Sequence, residues 1–359
     1  MDVQPSEGSL TVLVHEWVTG GGLAGAPMPQ SWADEGRAMR RAIAADFASV
    51  ARNRVRVIVT LDARLPDDPG PWTIERLGPE QELDRLRALA GEADATVLVA
   101  PETSGTLARL TRDLRTAGAR VLGSSPEAID LTGDKHRLAA WLRSRGIDTP
   151  PSRIILPEAG LPPDATYPAV LKPVDGAGCI DTFYVVDARS LPACARAMSQ
   201  ALLQPFVAGV PMSASFLIDG QGRAWLLGVG VQRIAIRGDR FAYQGGRLPA
   251  PSRAAEPQLR PALGAIPGLR GYVGVDFIWD PEAEHATVLE INPRPTTSCV
   301  GLTQLLPPGR LAEAWLRVFE SGPADAACFG GLAGLIHGGR RVAFDARGDR
   351  VTDDGGVLG

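Results

Sequence analysis

The chain has 359 residues, 45% apolar and 22% charged, with a formal charge of −4 and a pI near 5.7. At roughly 100 to 200 residues per domain this is room for two or three compact units, and the composition excludes a disordered or coiled-coil chain as a global description. The acidic balance lacks the excess that neutralises a phosphate backbone, which argues against nucleic acid as a partner. No apolar run approaches the ~18 residues of a membrane span, and Met1 to Ser9 (MDVQPSEGS) has neither a basic start nor an apolar core. A cytoplasmic protein with no membrane partner is expected. Cys179, Cys194, Cys299 and Cys328 form no CxxC pair, so reduced thiols and no zinc site are expected.

In chain order, Leu10 to His15 reads as a buried strand ending in Glu16 and the turn Gly20-Gly21-Gly22. A helix follows from Ser31, whose hydroxyl is placed to cap it, with Met39, Ile43, Phe47 and Val50 at helical spacing. Val55 to Thr60 is a second strand. Leu83, Leu86 and Leu89 mark a helix, Ala95 to Ala100 a strand, Leu107 to Leu114 a helix stopped near Gly118, and Arg120 to Leu122 a further strand. Strands alternating with helices predict a parallel sheet covered on both faces.

After Gly123-Ser124-Ser125-Pro126 the rhythm changes. One helix carrying Lys135, Leu138 and Leu142 runs to Gly146 and leads to Pro150-Pro151. Short strands with glycine turns follow (PAVLKPV, FYVVD, SASFLID, AWLLGVGVQRIAI), with a helix expected around Leu191 to Ala201. The strands VGVDFIWD and TVLEIN read as a pair, then comes a helix from Leu311 to Phe319 and a hairpin from Ala343 to Val351 around Arg347-Gly348-Asp349. The expected domains are 1–125, 126–205 and 206–359.

The strongest chemical signal is Asp276 on one strand with Glu290 and Asn292 on the next. Glu290 and Asn292 are two apart, hence on one face of a strand, while Ile291 points to the core. Magnesium takes one or two carboxylates with phosphate oxygens and water, so this trio suits a metal-nucleotide site; the alternative is a polar solvent face. Lys172 ends an apolar strand before Asp175-Gly176-Ala177-Gly178, a pairing of ammonium and permissive glycines that suits polyphosphate, or simply a glycine turn after an exposed lysine. Neither GxxxxGK[ST] nor GxGxxG is present. Lys135, in TGDKHRLAAW, stands alone as a solvated helix lysine.

Taken together, Lys135 before a helix, Lys172 before a glycine loop, Gln204-Pro205-Phe206-Val207 as a hinge, and Asp276 with LEINPR resemble the ATP-grasp superfamily of carboxylate-amine ligases, over Pro126 to Ala314. The resemblance implies an ATP-grasp fold, mixed α/β and α+β, with an N-terminal parallel α/β (pre-ATP-grasp) domain. The flanking VLVHEWVTGGGLAG, VLVAPETSGTL and LEINPRPTTSCVGL are similar to the tyramine-glutamate ligase group of methanofuran assembly. That implies small-molecule carboxylate and amine substrates, with glutamate as donor and tyramine, tyrosine or another amine as acceptor. Possible homodimer formation is left open.

By position, the resemblance implies that Lys135 and Lys172 contact ATP phosphates, that Gly176 and Gly178 form a lid loop, and that Gln204, Phe206 and Val207 meet adenine. Asp276, Glu290 and Asn292 would hold Mg2+ (or Mn2+), and Arg294 would lie against an acyl phosphate. Two positions depart from the pattern: Pro211 stands where an acidic residue often meets ribose, and Gly274 where some ligases carry arginine, with Gln232 or Arg233 as compensation. Substrate contacts are expected from Glu16, Gly21, Gly22 and Glu102 at strand ends, where a carboxylate would hold an ammonium or merely cap a loop. Thr296, Thr297 and Ser298 would bind the acceptor or satisfy loop backbone. His136, His285 and His337 read as ordinary, and Cys179 has no partner that would make it a nucleophile. Two other classes are weighed: an oxidoreductase, for which GGGLAG lacks dinucleotide spacing, and a non-catalytic nucleotide-binding regulator.

Overall fold

The structure is a computed structural model that describes residues 9–23, 25–50, 54–79, 82–176, 178–250, 254–320, 329, 332, 335–336 and 338–352. Residues 1–8, Cys328 and His337 lie outside them.

The N-terminal third is a parallel sheet of β1 (Leu10–Glu16), β2 (Val55–Asp62), β3 (Thr73–Leu77) and β4 (Ala95–Val99), ordered β3-β2-β1-β4. Every side chain of β4 is buried, as expected of a strand covered on both faces. The order reverses between β1 and β4, because the chain leaves β1 towards β2 on one side and later returns to place β4 on the other. Around the sheet lie α1 (Gln30–Ala48), α2 (Glu82–Glu92) and α3 (Thr106–Thr116). The periodic residues of α1 are buried as predicted, but its start differs. Pro29 precedes the first turn with no side-chain cap, and Ser31 is exposed inside it. Thr73–Leu77 is an edge strand without the apolar alternation that would predict it, and Arg120 to Leu122 makes only one isolated parallel bridge, Thr96 with Val121.

The expected single helix around Lys135 is two, α4 (Pro126–Gly133) and α5 (Lys135–Arg143). Each has its own cap: Ser125 Oγ accepts from Ala128 N at 3.2 Å, and Asp134 Oδ1 from Arg137 N at 2.9 Å. Then come β5 (Arg153–Ile155), β6 (Ala169–Lys172), β7 (Phe183–Val185), β8 (Ala201–Pro205), β9 (Val210–Ile218), β10 (Ala224–Arg237) and β11 (Arg240–Leu248). The chain continues through α6 (Ala255–Gly264), β12 (Gly271–Asp280), β13 (His285–Asn292), α7 (Ser298–Leu305), α8 (Arg310–Arg317), β14 (Val342–Phe344) and β15 (Arg350–Val351). The helix expected at 191–201 is one short 3-10 turn, Ala193–Ala197; LPACARAM has no apolar stripe to bury, and β8 takes over at Ala201.

β5 to β13 form one antiparallel sheet, ordered β13-β12-β9-β10-β11-β7-β6-β8-β5, to which the tail hairpin β14–β15 adds through β11. The two sheets share a core. Phe47 of α1 packs on Trp315 of α8 with ring centroids 5.9 Å apart. Asp46 accepts from Gly309 N at 2.8 Å and Ala312 N at 2.7 Å, capping α8 from the other half of the molecule. A cap of this kind is worth about 1 kcal/mol, and it fixes how the N-terminal sheet meets the antiparallel one.

Candidate active site

The antiparallel pairing of β12 and β13 sets Asp276 directly opposite Glu290 and Gly274 opposite Asn292. A bulge follows Asp276, the irregularity that re-aims side chains beside functional sites. Asp276 accepts from Asn292 Nδ2 at 3.0 Å and from Gln232 Nε2 at 2.9 Å. Glu290 meets Lys135 Nζ at 3.2 Å and Lys172 Nζ at 3.8 Å. These two lysines are buried although their sequence contexts differ: α5 begins at Lys135 because Asp134 breaks the helix there, and Lys172 closes β6.

The two facing carboxylates are electrostatically unequal. Burial, reinforced by the charge of Glu290, pushes the Asp276 carboxyl up to about 6. Burial acts upward on Glu290 too, but the ammonium groups of Lys135 and Lys172 outweigh it and hold Glu290 below the ordinary value. Burial lowers Lys172, the more so beside Lys135. Among the described residues no group of three His, Cys, Asp or Glu side chains is placed to hold a metal ion. With two carboxylates and one amide oxygen, Asp276, Glu290 and Asn292 suit only a cation that completes its shell from phosphate and water, and a divalent charge there would offset the burial and the Glu290 repulsion that raise Asp276.

The glycine loop after Lys172 is held from two sides. Lys135 donates to the Gly176 carbonyl. From the N-terminal half, Thr103 Oγ1 donates to the Asp175 carbonyl at 2.9 Å and Ser104 N to Asp175 Oδ2 at 2.8 Å. The loop turns through left-handed conformations at Gly178, Cys179 and Asp181, of which only the first is free of strain. Burial pushes the Cys179 thiol up to about 12, which disfavours the thiolate that a nucleophilic role would need.

One cavity collects Lys135, Lys172, Gly176, Gly178, Gln204, Phe206, Val207, Asp276, Glu290, Asn292, Arg294, Thr296, Thr297 and Ser298. Arg233 is not brought there. Strand alternation turns it away from Gln232, and its guanidinium donates to the carbonyls of Gln244 at 2.9 Å and Phe344 at 3.3 Å, bracing the tail hairpin. Pro211 does line the cavity. At Gly274 an added Cβ would come within 2.7 Å of Thr296 Cγ2, so Thr296 fills the space an arginine stem would need. Thr297 pairs with Tyr243 through hydroxyls 2.9 Å apart.

The expected strand-end residues separate. Glu16 is buried and accepts from Val18 N at 3.0 Å, Thr19 N at 2.8 Å and Thr19 Oγ1 at 2.6 Å, which makes it the cap of its own loop. Gly21 and Gly22 line neither this cavity nor its neighbour; Gly22 N bonds Trp17 O at 2.8 Å, and a Cβ there would strike the Trp17 ring. Glu102 forms a two-point pair with Arg294, from Nε and Nη2, each 2.9 Å. Missed in the sequence is Glu35, a half-buried acid of α1 lining both this cavity and a second one towards the N-terminal sheet. Its only cue, one acid amid WADEGRAMRR, is that of a solvated helix face.

Fold and cleft together define an ATP-grasp protein preceded by an α/β companion domain. Residues 55–129 match the pre ATP-grasp 3 domain and residues 132–298 the ATP-grasp domain; the chain carries an ATP-grasp domain preceded by a pre-ATP-grasp domain. It is 29% identical over 212 residues to a tyramine–L-glutamate ligase of Methanocaldococcus fervens and 27% over 235 residues to that of Methanocaldococcus jannaschii. These matches cover 58% and 64% of this chain and 61% and 66% of the relatives' lengths. A solved ATP-grasp superfamily protein from Archaeoglobus fulgidus has the same fold, with a TM-score of 0.62 at 22% identity over 94% of this chain and 92% of that one. Among the described residues no helix is long and apolar enough to cross a membrane.

Proposed function

We propose that the protein is an ADP-forming carboxylate-amine ligase that joins the side-chain carboxylate of glutamate to a tyramine-like or tyrosine-like amine, in assembly of a methanofuran-type cofactor. The observation that carries the chemistry is the convergence of Asp276, Glu290, Asn292, Lys135, Lys172 and Arg294 on one cavity under a glycine loop. The substrates rest on the tyramine–L-glutamate ligases, whose names state their reaction, and on the HEWVTGGG, APETSG and PTTS segments.

A free carboxylate is a poor acyl donor, since its leaving group would be oxide. In the proposed reaction a carboxylate oxygen attacks the γ-phosphorus of ATP, ADP leaves, and an acyl phosphate results. The amine then attacks the acyl carbon; phosphate departs with that oxygen, and the amine loses a proton. The protein's part is positioning and charge neutralisation. Lys135 and Lys172, now spent on Glu290, are the cations for the phosphates, and Gln204, Phe206 and Val207 form the adenine side. Arg294 is held by Glu102 through Nε and Nη2 and by the Pro295 carbonyl through Nη1 at 3.1 Å, leaving one N–H on each terminal nitrogen for the acyl phosphate. Asp276, Glu290 and Asn292 would hold magnesium, which supplies charge neutralisation at the phosphate oxygens when bound. The domains proposed for this reaction are 1–125, 126–205 and 206–359.

The test is ADP release across pairs of carboxylates and amines, with product mass read out. Glutamate with tyramine or tyrosine should release ADP and give an amide. Nucleotide binding without ADP release from any pair would assign the site to a regulator.

A further inference from the structure

We propose that the cleft between α3, the β9–β10 turn and the start of β12 is a second anion site, in which Arg115, Arg120 and Arg270 hold the phosphate group of a small phosphorylated polar molecule. It shares no lining residue with the nucleotide cavity, so its occupancy is independent of the ligase reaction.

Three separate elements bring the guanidinium groups to one place. Arg115 stands in the last turn of α3, Arg120 follows that helix, and Arg270 precedes β12 in the other half of the molecule. With the turn from Asp219 to Gly222 between β9 and β10, and with Phe319 after α8, they line a cavity of about 870 Å3. That volume is within the range of small-ligand sites. Ser124 fastens the two halves at this point, its hydroxyl donating to the Arg270 carbonyl and accepting from Arg270 N, each at 3.1 Å.

The charge on this wall is unmatched. Each arginine spends only Nη2, and only on backbone carbonyls: Arg115 on Gly123 at 2.9 Å and Ser124 at 3.0 Å, Arg120 on Phe319, and Arg270 on Val318 at 3.3 Å. Among the described residues none of the three has an ion pair, and Nε and Nη1 of each have no hydrogen-bond partner; Arg270 Nε is buried in that state. The one acid of the described lining, Asp219, is committed to Arg223 Nε at 2.9 Å and to two amides of its own turn. Burial and then the charge of Arg270 lower the Arg115 guanidinium, against the pull of Glu127. Burial and then Arg120 lower Arg270, against the pull of Asp219. Like charges gathered beside donors without partners are costly, and an incoming anion offsets both costs. Three guanidinium forks suit a tetrahedral, doubly charged phosphate better than a flat carboxylate, which one fork saturates. Gly220, Gln221, Gly222 and Ser125 add a small, polar wall, suited to a hydroxylated body and not to an apolar one.

Calorimetry on the protein saturated with a non-hydrolysable ATP analogue tests this, with ribose 5-phosphate as probe and ribose and citrate as controls. Saturation keeps the probe out of the nucleotide cavity. Ribose 5-phosphate should bind at least about 10-fold more tightly than either control, and Arg270→Gln should weaken it by about 10-fold or more, the range for losing a hydrogen bond to a charged group. Gly220→Asp tests the same site should Arg270→Gln not fold. A Cβ at Gly220 lies 3.2 Å from Arg270 Nη2, so the new carboxylate would pair with that guanidinium and remove ribose 5-phosphate binding. Affinity for the ATP analogue should be kept in both variants, which marks the loss as local. No binding of ribose 5-phosphate, binding no tighter than that of citrate, or binding untouched by these substitutions would overturn the assignment.

Discussion

Arg294 and Glu102 lie side by side, Nε to Oε1 and Nη2 to Oε2, both at 2.9 Å, and this pair joins the ATP-grasp domain to the α/β domain before it. Glu102 leaves β4 and Arg294 follows β13, so the orientation of one guanidinium depends on how two sheets are docked. A two-point pair fixes the plane of the guanidinium as well as its place.

Glu102→Gln keeps the shape and removes the charge that orients Arg294. Single-turnover ADP formation should fall by roughly 10²-fold, the scale of a small misplacement of a reacting group, with ATP-analogue affinity preserved and partial rescue by Glu102→Asp. A parallel loss of nucleotide affinity would mean that the pair only holds the domains together.

Lys172→Ala should weaken ATP-analogue binding by roughly 10- to 100-fold, as expected for losing a charged hydrogen-bond partner of phosphate, and leave binding of the acceptor amine in place. Titration calorimetry with each ligand separates the two. Unchanged nucleotide affinity would reduce Lys172 to a structural partner of Glu290.

Asp276 sits opposite Glu290, and burial together with that like charge raises its carboxyl. Asp276→Asn should therefore keep or raise thermal stability while lowering metal-dependent ADP formation by at least about 10²-fold, the pattern of a site that sacrifices stability for function. Glu290→Ala and Asn292→Ala should also abolish metal-dependent ADP formation. A melting temperature that falls with full turnover retained would remove Asp276 from the site.

How much of the fold and site is legible in the sequence varies with the kind of trace each residue leaves. Glu290 and Asn292 share a strand face by spacing alone, and VGVDFIWD with TVLEIN announces a strand pair. That Lys135 and Lys172, from two elements, both reach Glu290 follows from tertiary docking, which periodicity does not encode. The break at Asp134 is hidden because TGDKHRL is compatible with one continuous helix; the capping bond to Arg137 N decides for two. Glu35 escapes for the opposite reason: its surroundings in sequence are polar, and only the arrival of the glycine loop and Arg294 turns its helix face into a cavity wall. Glu16 stands out in the sequence, but backbone amides two and three residues on claim its carboxylate.

His15 gives a pH prediction. Its ring is buried against Thr60, with Nδ1 2.8 Å from Oγ1, and burial lowers it to about 3 from an ordinary 6.5. Below 6.5 the unfolded chain binds a proton that the folded chain does not, so this group makes stability rise with pH across the window from 3 to 6.5. At pH 5 the loss relative to pH 7 is about 2 kcal/mol. Urea unfolding of His15→Gln should show a pH dependence shallower by that amount. An identical slope in the variant would mean that His15 does not stay neutral when folded.

The acyl phosphate is the central intermediate of the proposed reaction, and isotope transfer tests it most directly. Glutamate labelled with 18O in its side-chain carboxylate is turned over with ATP and the amine, and the released phosphate is analysed by mass. One labelled oxygen should appear in phosphate for each amide formed, with ADP as the nucleotide product. Phosphate free of label, or AMP in place of ADP, would contradict the mechanism.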